Sequence, residues 1–375
     1  MRILNFKNAL FLATIGFIFL LVFYCAKEES IKDIRLVDFQ PKPMLVTKVT
    51  NVQKAKYPAI DVHNHLRRIV DSETDISEYV KIMDECNVKA VVDLDGGYGE
   101  TLDKHLKVLK EPYPDRFIVY ARIDWTKLNE PDFSEYSANQ LEEAVKKGAQ
   151  GLKISKSLGL GIKEANGNYL QIDTPKMDAV WAKCGELGIP VEIHTADPDA
   201  FFTPLDGFNE RLEELMDHPD WMFNKPEYYS HDELLEQRNN VIAKHRNTIF
   251  IGAHMGNYPE NFQKVAEWLD KYPNFYVDVD ARLSELGRQP YSSRKFIIKY
   301  SDRVMFGTDG CDAGPINAEM YRLFWRFLET DDEYFDIAKS HHYQARWRVY
   351  GLYLPDDVLE KIYYLNAKKL IPGIL

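Results

Sequence analysis

The stretch AIDVHNHL, residues 59–66, sets His63 and His65 two positions apart at the end of a short apolar run. Side chains alternate faces along a strand, so both imidazoles project to the same side. Two neighbouring imidazoles either offer their lone pairs to a divalent cation or sit as hydrogen-bonded histidines at a strand end, and this stretch alone does not separate the two. Three further segments carry residues of the same kind. EIHTAD holds His194, GAHMGN holds His254 and FGTDG holds Asp309. Neutral imidazoles bind zinc or a similar ion and leave coordination open for water. The ion lowers the pKa of that water and polarises a carbonyl. A carboxylate beside it, Asp309, takes the proton from the water and later delivers it to the leaving group. Gly307 and Gly310 leave space around this carboxylate, and Asp61 is a candidate ligand or a support for the ligands.

Segments so far apart in sequence need a fold that gathers them. Short runs with little alternation recur from Tyr57 onward: residues 58–65, 88–96, 117–125, 149–155, 190–197, 248–256, 274–282 and 303–310. Such runs suit strands buried on both faces, as in a parallel sheet. Amphipathic segments such as SANQLEEAVKKG and NFQKVAEWLDKYP lie between them, and Gly148 and Gly188 stand where helix C-caps are expected. Eight strands alternating with helices indicate an α/β fold of the (β/α)8 TIM-barrel type. In that fold the chemistry sits at the C-terminal strand ends. There the first strand places His63 and His65, the fifth His194, the sixth His254 and the eighth Asp309. The other six histidines, including His105, fall in helices or loops.

The set DVHNH, EIHT, GAHMG and FGTDG, in this order and spacing, resembles the amidohydrolase superfamily. It is most similar to the amidohydrolase-2, or aminocarboxymuconate-semialdehyde decarboxylase-like, branch. The likeness runs from about Pro58 to the C-terminus. There KIYYLNAKKLIP, with Asn366 and Ala367, resembles the closing helix of that branch, and YPNFYVDVDARLSELGRQP its seventh-strand region. The resemblance implies one divalent metal, zinc first and manganese or iron next, held by His63, His65, His194 and Asp309. His254 then binds substrate or polarises the water. In two-metal relatives a strand-four lysine is carbamylated and bridges the ions. Lys153 occupies that position, so a second metal stays open beside an electrostatic or substrate-binding role. Its bland alternative is a pair with a carboxylate such as Asp124.

Other rim residues are candidates for substrate. Arg282 and Arg288 suit a bidentate clamp on a carboxylate, Arg67 is a further candidate, and Trp125 ends the third strand where it could stack on a ring. Surface ion pairs are the commoner fate of such arginines. The connection at residues 198–230 is long, aromatic and proline-rich, which suggests a partial lid over the rim.

Hydrophobic residues make up 45% of the 375-residue chain and charged residues 28%, which is the composition of a globular protein rather than a disordered one. A net charge of −11 repels phosphate backbones and excludes nucleic acid as the expected partner. A small-molecule substrate is expected instead, and a homo-oligomer is compatible with the sequence. Arg2 and Lys7 precede an uncharged apolar run from Asn8 to Ala26, the pattern of an export signal or N-terminal anchor. Cys25 at its end resembles a lipoprotein attachment site, although Phe23 and Tyr24 are bulkier than the residues usual before that cysteine; an uncleaved anchor is the alternative. Both place the folded domain outside the cytoplasm, in the periplasm or at the cell surface, tethered to the membrane. The expected organisation is a leader at 1–25, a linker at 26–56 and the barrel at 57–375. Cys86, Cys184 and Cys311 form no paired spacing, so neither a disulfide framework nor a cysteine zinc site is indicated, and Cys311 reads as packing.

A metal-activated water attacking a carbonyl suits a lactone, ester or amide. Decarboxylation or hydration of a carboxylic acid would use the same ligands. Hydrolysis is favoured, because Asp61 replaces the glutamate that opens the motif of several phenolic-acid decarboxylases and because an exported protein suits scavenging. A membrane-tethered binding protein with a non-catalytic metal is the third reading.

Overall fold

The computed structural model describes residues 33–35, 38–39, 41–72, 75–310, 317–337 and 347–374. The expected leader, Cys25 and Cys311 lie outside them. Eight strands form one parallel sheet in strictly sequential order: β1 (Ala59–Asn64), β2 (Val88–Asp93), β3 (Phe117–Ala121), β4 (Gly151–Ile154), β5 (Val191–Ile193), β6 (Phe250–Gly252), β7 (Phe275–Asp278) and β8 (Val304–Met305). Backbone bonds carry the ladder from β8 back to β1. Val62 N–H donates to Phe306 O (3.0 Å), Asp309 N–H to His63 O (2.8 Å) and His65 N–H to Gly310 O (3.2 Å). These last two bonds hold the paired histidines and Asp309 in one register, as the barrel expectation requires.

The strands are near-continuously buried because they pack on two sides. Inside the barrel, Ile60, Val62, Val92, Ile118, Ile251 and Met305 form one apolar cluster. Gly151 is required there, since a Cβ would collide with the ring of Tyr120. Outside, helices lay their apolar stripes on the strands. In α1 (Ile76–Cys86) the residues Ile76, Tyr79, Val80, Met83 and Cys86 are buried, at the three- and four-residue spacing of one helix face. Asp75 caps its start by accepting Ser77 N–H, and Asn87 ends it in the left-handed region. The helices that follow in the barrel are α2 (Gly99–His105), α3 (Phe133–Lys147), α4 (Asp178–Leu187), α5 (His231–Lys244), α6 (Phe262–Lys271), α7 (Pro290–Lys299) and α8 (Ala318–Glu329). Cys86 and Cys184 are buried and unpaired with one another. Near the C-terminus, the Asn366 amide donates to Ser301 O and Val304 O, both at 2.7 Å, and so fastens the closing helix to β8.

One expected boundary shifts. The compact unit that holds the barrel runs from Thr47 to Leu375, so residues 47–56 belong to it rather than to a linker. The reason is local. Thr50 binds Asp332 through backbone and hydroxyl, each at 2.6 Å, and Ala55 is buried. The segment 198–230 is an insertion, as expected, but its aromatic rings stack on one another, Phe201 on Trp221 and Phe202 against Phe223. Its buried Arg211 pairs with Glu214 (3.0 Å) and with Glu285. Among the described residues no helix is long and apolar enough to cross a membrane.

Candidate metal centre

His63 is fully buried at the end of β1. Its Nε2 lies 3.6 Å from Asp309 Oδ1 and 3.2 Å from Lys153 Nζ. Its Nδ1 faces carboxylates from inside the barrel: Asp280 at 2.8 Å, Asp278 at 3.1 Å and Glu192 at 3.6 Å. His65 brings Nε2 to 3.4 Å from the same Asp309 oxygen and gives Nδ1 to Asp95 at 3.0 Å. Gly307 permits this crowding, because a Cβ there would stand 2.9 Å from His63 Cβ and 3.2 Å from Asp280 Cβ. Asp309 itself adopts φ 57°, a left-handed conformation costly for a residue with a side chain. Asp61 is spent elsewhere. It accepts from Thr308 N–H (3.0 Å), Thr308 Oγ1 (2.6 Å), Asn64 (2.8 Å) and Tyr321 (3.1 Å), so it fixes the β8 turn that carries Asp309 rather than acting as a ligand.

The β5–β6 side is built differently. His254 Nε2 lies 3.3 Å from His194 Nδ1, with the rings edge to face at 4.3 Å between centroids. His194 Nε2 reaches Asp197 at 3.3 Å, and Asp197 pairs with Lys156 at 2.6 Å. His254 also has positive φ, 58°. Two carboxylates, Asp278 ending β7 and Asp280 just beyond it, hold it there, accepting its N–H at 2.8 Å and 2.9 Å.

Burial and charge give these histidines opposite characters. Burial pushes His63 down to about 4, against the pull of Asp280. Burial likewise holds His194 well below the usual imidazole value, helped by His254. For His65 burial acts the same way, but hydrogen bonds to Asp309 and Asp95 outweigh it and raise the group to about 9. Asp309 would be raised by burial; His65, His63 and His254 instead draw it well below the carboxylate range. Glu192 is pushed up to about 8 by burial, and Lys153 is lowered by burial against four surrounding carboxylates.

Among the described residues, three groups place one donor atom from each member within 4.8 Å of the others: His63, His65 and Asp309; His63, His254 and Asp280; and His63, Glu192 and Asp278. The first fits a divalent cation best. It offers two imidazole nitrogens and an ionised oxygen, and it is reachable, with the Asp309 side chain 28% exposed. The proton drawn to His65 between two carboxylates marks a place built for positive charge, which a metal takes over when it binds. The other two groups are sealed, and Lys153 already neutralises part of their charge. The structure therefore gathers His63, His65 and Asp309 at one point and sets His194 one residue further off, behind His254.

A cavity of about 700 Å³ adjoins Lys153. Arg67, Tyr98, Lys104, Arg122 and Trp125 line it, and no residue of 198–230 does, so the inserted aromatics do not roof it. Among the described residues the Arg67 guanidinium has no hydrogen-bond partner. Trp125 presents itself to the cavity while stacked on Phe133. The paired-arginine clamp is not formed. Arg288 is held by both oxygens of Glu210, each at 3.0 Å, and covers Trp347. Arg282 is buried on Ala281 O and Asn257. Lys153 does not pair with Asp124 either, because that carboxylate caps Thr126 and accepts from Tyr136.

Sequence reasoning passed over Asp95, Glu192, Asp197, Asp278, Asp280 and Arg122. Five of these six are carboxylates standing inside or just after apolar strand runs, in VVDLDG, VEIHTAD and YVDVDAR. An acid inside a doubly buried strand is costly without a partner, and that was the available signal.

The family model Amidohydro_2, described as amidohydrolase, matches residues 110–373, a span that holds His194, His254 and Asp309 but begins after His63 and His65. No curated protein matches the sequence. Among solved structures, an uncharacterized TIM-barrel protein from Bordetella bronchiseptica is 16% identical, covering 83% of this chain and 97% of its own, with a TM-score of 0.52. A 2,6-dihydroxybenzoate decarboxylase complexed with 2,6-dihydroxybenzoate is 17% identical, covering 84% and 99%, with a TM-score of 0.50. The 2,6-dihydroxybenzoate decarboxylase from Rhizobium is 15% identical, covering 84% and 98%, also at 0.50. At these identities the likeness is one of fold.

Proposed function

This chain belongs to the amidohydrolase family, and from that premise we propose that it is a metal-dependent hydrolase of a small-molecule lactone, ester or amide. The observation that carries the reading is the convergence of His63, His65 and Asp309 within 4.8 Å, at a point open to the rim. These three would hold one divalent ion, zinc by the N,N,O character of the donors, with His194, neutral through burial, as the additional nitrogen. A cation bound there supplies Lewis acidity toward water and toward a carbonyl oxygen.

The chain's own groups do the remaining work. Asp309 is kept ionised by its neighbours and accepts the proton of the attacking water, then returns it to the leaving group. Asp95 fixes the His65 ring by taking its Nδ1–H. Lys153, 3.2 Å from His63 and lining the cavity, offsets negative charge that grows on the substrate oxygen. Arg67, with its guanidinium uncommitted, is the group to hold a substrate carboxylate.

The test is metal analysis of the purified protein together with turnover on lactone, ester, amide and carboxylic-acid panels. One equivalent of metal and hydrolysis are expected. Two equivalents would bring Lys153 in as a bridging group, and carbon dioxide release would move the reaction to a lyase. Absence of turnover in the metal-loaded protein would leave the binding-protein reading. The apolar leader from Asn8 to Ala26 supports an exported, membrane-tethered protein. Membrane fractionation with Cys25→Ala checks this, since release of the protein is expected only if that cysteine carries the tether.

A further inference from the structure

His105 ends α2 and is 1% exposed. Its Nδ1 lies 2.6 Å from Asp93 Oδ2. The other oxygen of Asp93 accepts two backbone N–H groups, from Asp95 (3.1 Å) and Leu66 (3.2 Å). A carboxylate accepts and does not donate, so the shared proton stands on Nδ1, and in that tautomer Nε2 turns its lone pair outward. That nitrogen has no partner among the described residues, and His105 lines the same cavity as Arg67 and Lys153. The segment Asp93-Leu94-Asp95 thus holds two imidazoles. Asp95 orients His65 at the metal centre, and Asp93 orients His105 within the cavity wall.

We infer that His105 is a specificity-determining residue whose Nε2 accepts a hydrogen bond from a hydroxyl or N–H group of the substrate. The inference rests on reading this cavity as the substrate site. A hydroxyl brought against an unpartnered acceptor of the cavity wall replaces the water it loses, whereas an ether or a bare C–H at the same point leaves Nε2 unsatisfied. Discrimination by such an acceptor is therefore large. A merely structural histidine would need only the Nδ1–Asp93 bond, and nothing would depend on its second nitrogen.

The experiment uses the metal-loaded full chain and a set of probes that each carry a carboxylate for Arg67: benzoate, the three hydroxybenzoates and the matching methoxybenzoates. The best hydroxybenzoate is expected to bind at least about 10-fold more tightly than benzoate, and its methoxy counterpart no better than benzoate. His105→Phe should bring the hydroxyl preference below about 2-fold. Because that change strips Asp93 of a donor and risks the fold, Asp93→Asn is the second variant. The backbone amides of Leu66 and Asp95 keep the Asn oxygen facing them, so its NH2 turns to His105 and imposes the opposite tautomer. In ¹⁵N-histidine spectra the proton should then move to Nε2, and the preference should shift toward the methoxy probes. A hydroxyl preference under 2-fold in the wild type, or one unchanged in both variants, overturns the inference. So does an unmoved tautomer in Asp93→Asn. If the preferences follow His105 while no panel substrate is turned over, only the hydrolase reading fails. If turnover occurs with hydroxyl preference insensitive to His105, only this inference fails.

Discussion

The two sides of the rim use the same residue types toward different ends. At the β1–β8 seam, His63 and His65 direct their Nε2 atoms at one oxygen of Asp309, and the surrounding carboxylates draw positive charge to that point. On the β5–β6 side, His194 and His254 lean on each other, and burial keeps His194 neutral. What differs is the position of the acids. Asp309 and Asp95 lie on opposite nitrogens of His65, so charge on that ring is welcomed from both ends. His194 has one carboxylate, Asp197, and Lys156 already claims it. Arg122 shares Asp95 at 2.5 Å just as Lys156 shares Asp197, so what separates the two rings is the second carboxylate, Asp309, which His65 faces and His194 lacks.

The largest expected effect comes from removing the acid that makes the seam what it is. Asp309→Asn should lower turnover by about 10²–10⁴-fold, the range for a lost general base, in a protein that still folds. Metal content at saturating concentration should largely survive. Turnover within 10-fold of wild type would show that the seam is not the reacting side. Next in size is metal affinity. Losing a supporting group costs about 10–100-fold, so losing His65 itself should cost at least about 100-fold, while His194→Asn should cost about 10-fold. Competition with a chelator measures both, and equal losses would erase the contrast between the two sides.

Much of this arrangement could be read before any coordinates. Strands buried on both faces announce themselves as apolar runs, and the period of two put His63 beside His65. The same period, applied to Asp278 and Asp280 or to Glu192 and His194, would have exposed the interior carboxylates. They went unnoticed because an acid in an apolar run reads as a strand end. Other features were beyond reach. Arg288 meets Glu210 across 78 residues, and that pairing depends on how the inserted segment folds back. His105 looked like an ordinary helix residue, because only the barrel brings Asp93 to it.

Within the seam itself, His63 and His65 differ as sharply as the two sides do, and stability against pH reads the difference. In cation-free protein His63 titrates near 4, below its unfolded value near 6.5, so the unfolded chain binds the extra proton and stability rises from pH 4 to 6.5. His65 titrates near 9, so the folded protein keeps its proton; that stabilisation is full below 6.5 and is lost as pH climbs to 9. Taken alone, the two rings set a maximum near pH 6.5 with limbs about 3 kcal/mol deep. Glu192, raised to about 8, removes stability from pH 4.5 to 8, so the His65 limb is read as the difference between wild type and Asp309→Asn. Thermal melts of chelated protein trace it. Asp309→Asn should flatten the alkaline limb and spare the acid one. A divalent ion should do the same to the alkaline limb by replacing the proton. A curve that only rises from pH 4 to 9 would place the charge elsewhere.

The smallest effects separate two arginines that the sequence treats alike. Arg67 lines the cavity with no hydrogen-bond partner among the described residues, so Arg67→Ala should leave the melting temperature unchanged and raise KM for an acidic substrate about 10-fold. Arg288 is already spent on Glu210, at 3.0 Å to each oxygen, and the two side chains are 27% and 39% exposed. Its pair is partly screened by water, so Arg288→Ala should cost under about 1 kcal/mol and leave kcat and KM where they were. The contrast depends on commitment rather than on distance from the rim. A guanidinium that already has a carboxylate must give it up before it can take another, and the exchange gains little. Glu210→Gln therefore sharpens the test, because it frees Arg288 without removing it. If KM then responds to Arg288→Ala only in the Glu210→Gln background, prior pairing is what silences that arginine; a KM effect in the wild-type background would show that it already reaches the substrate.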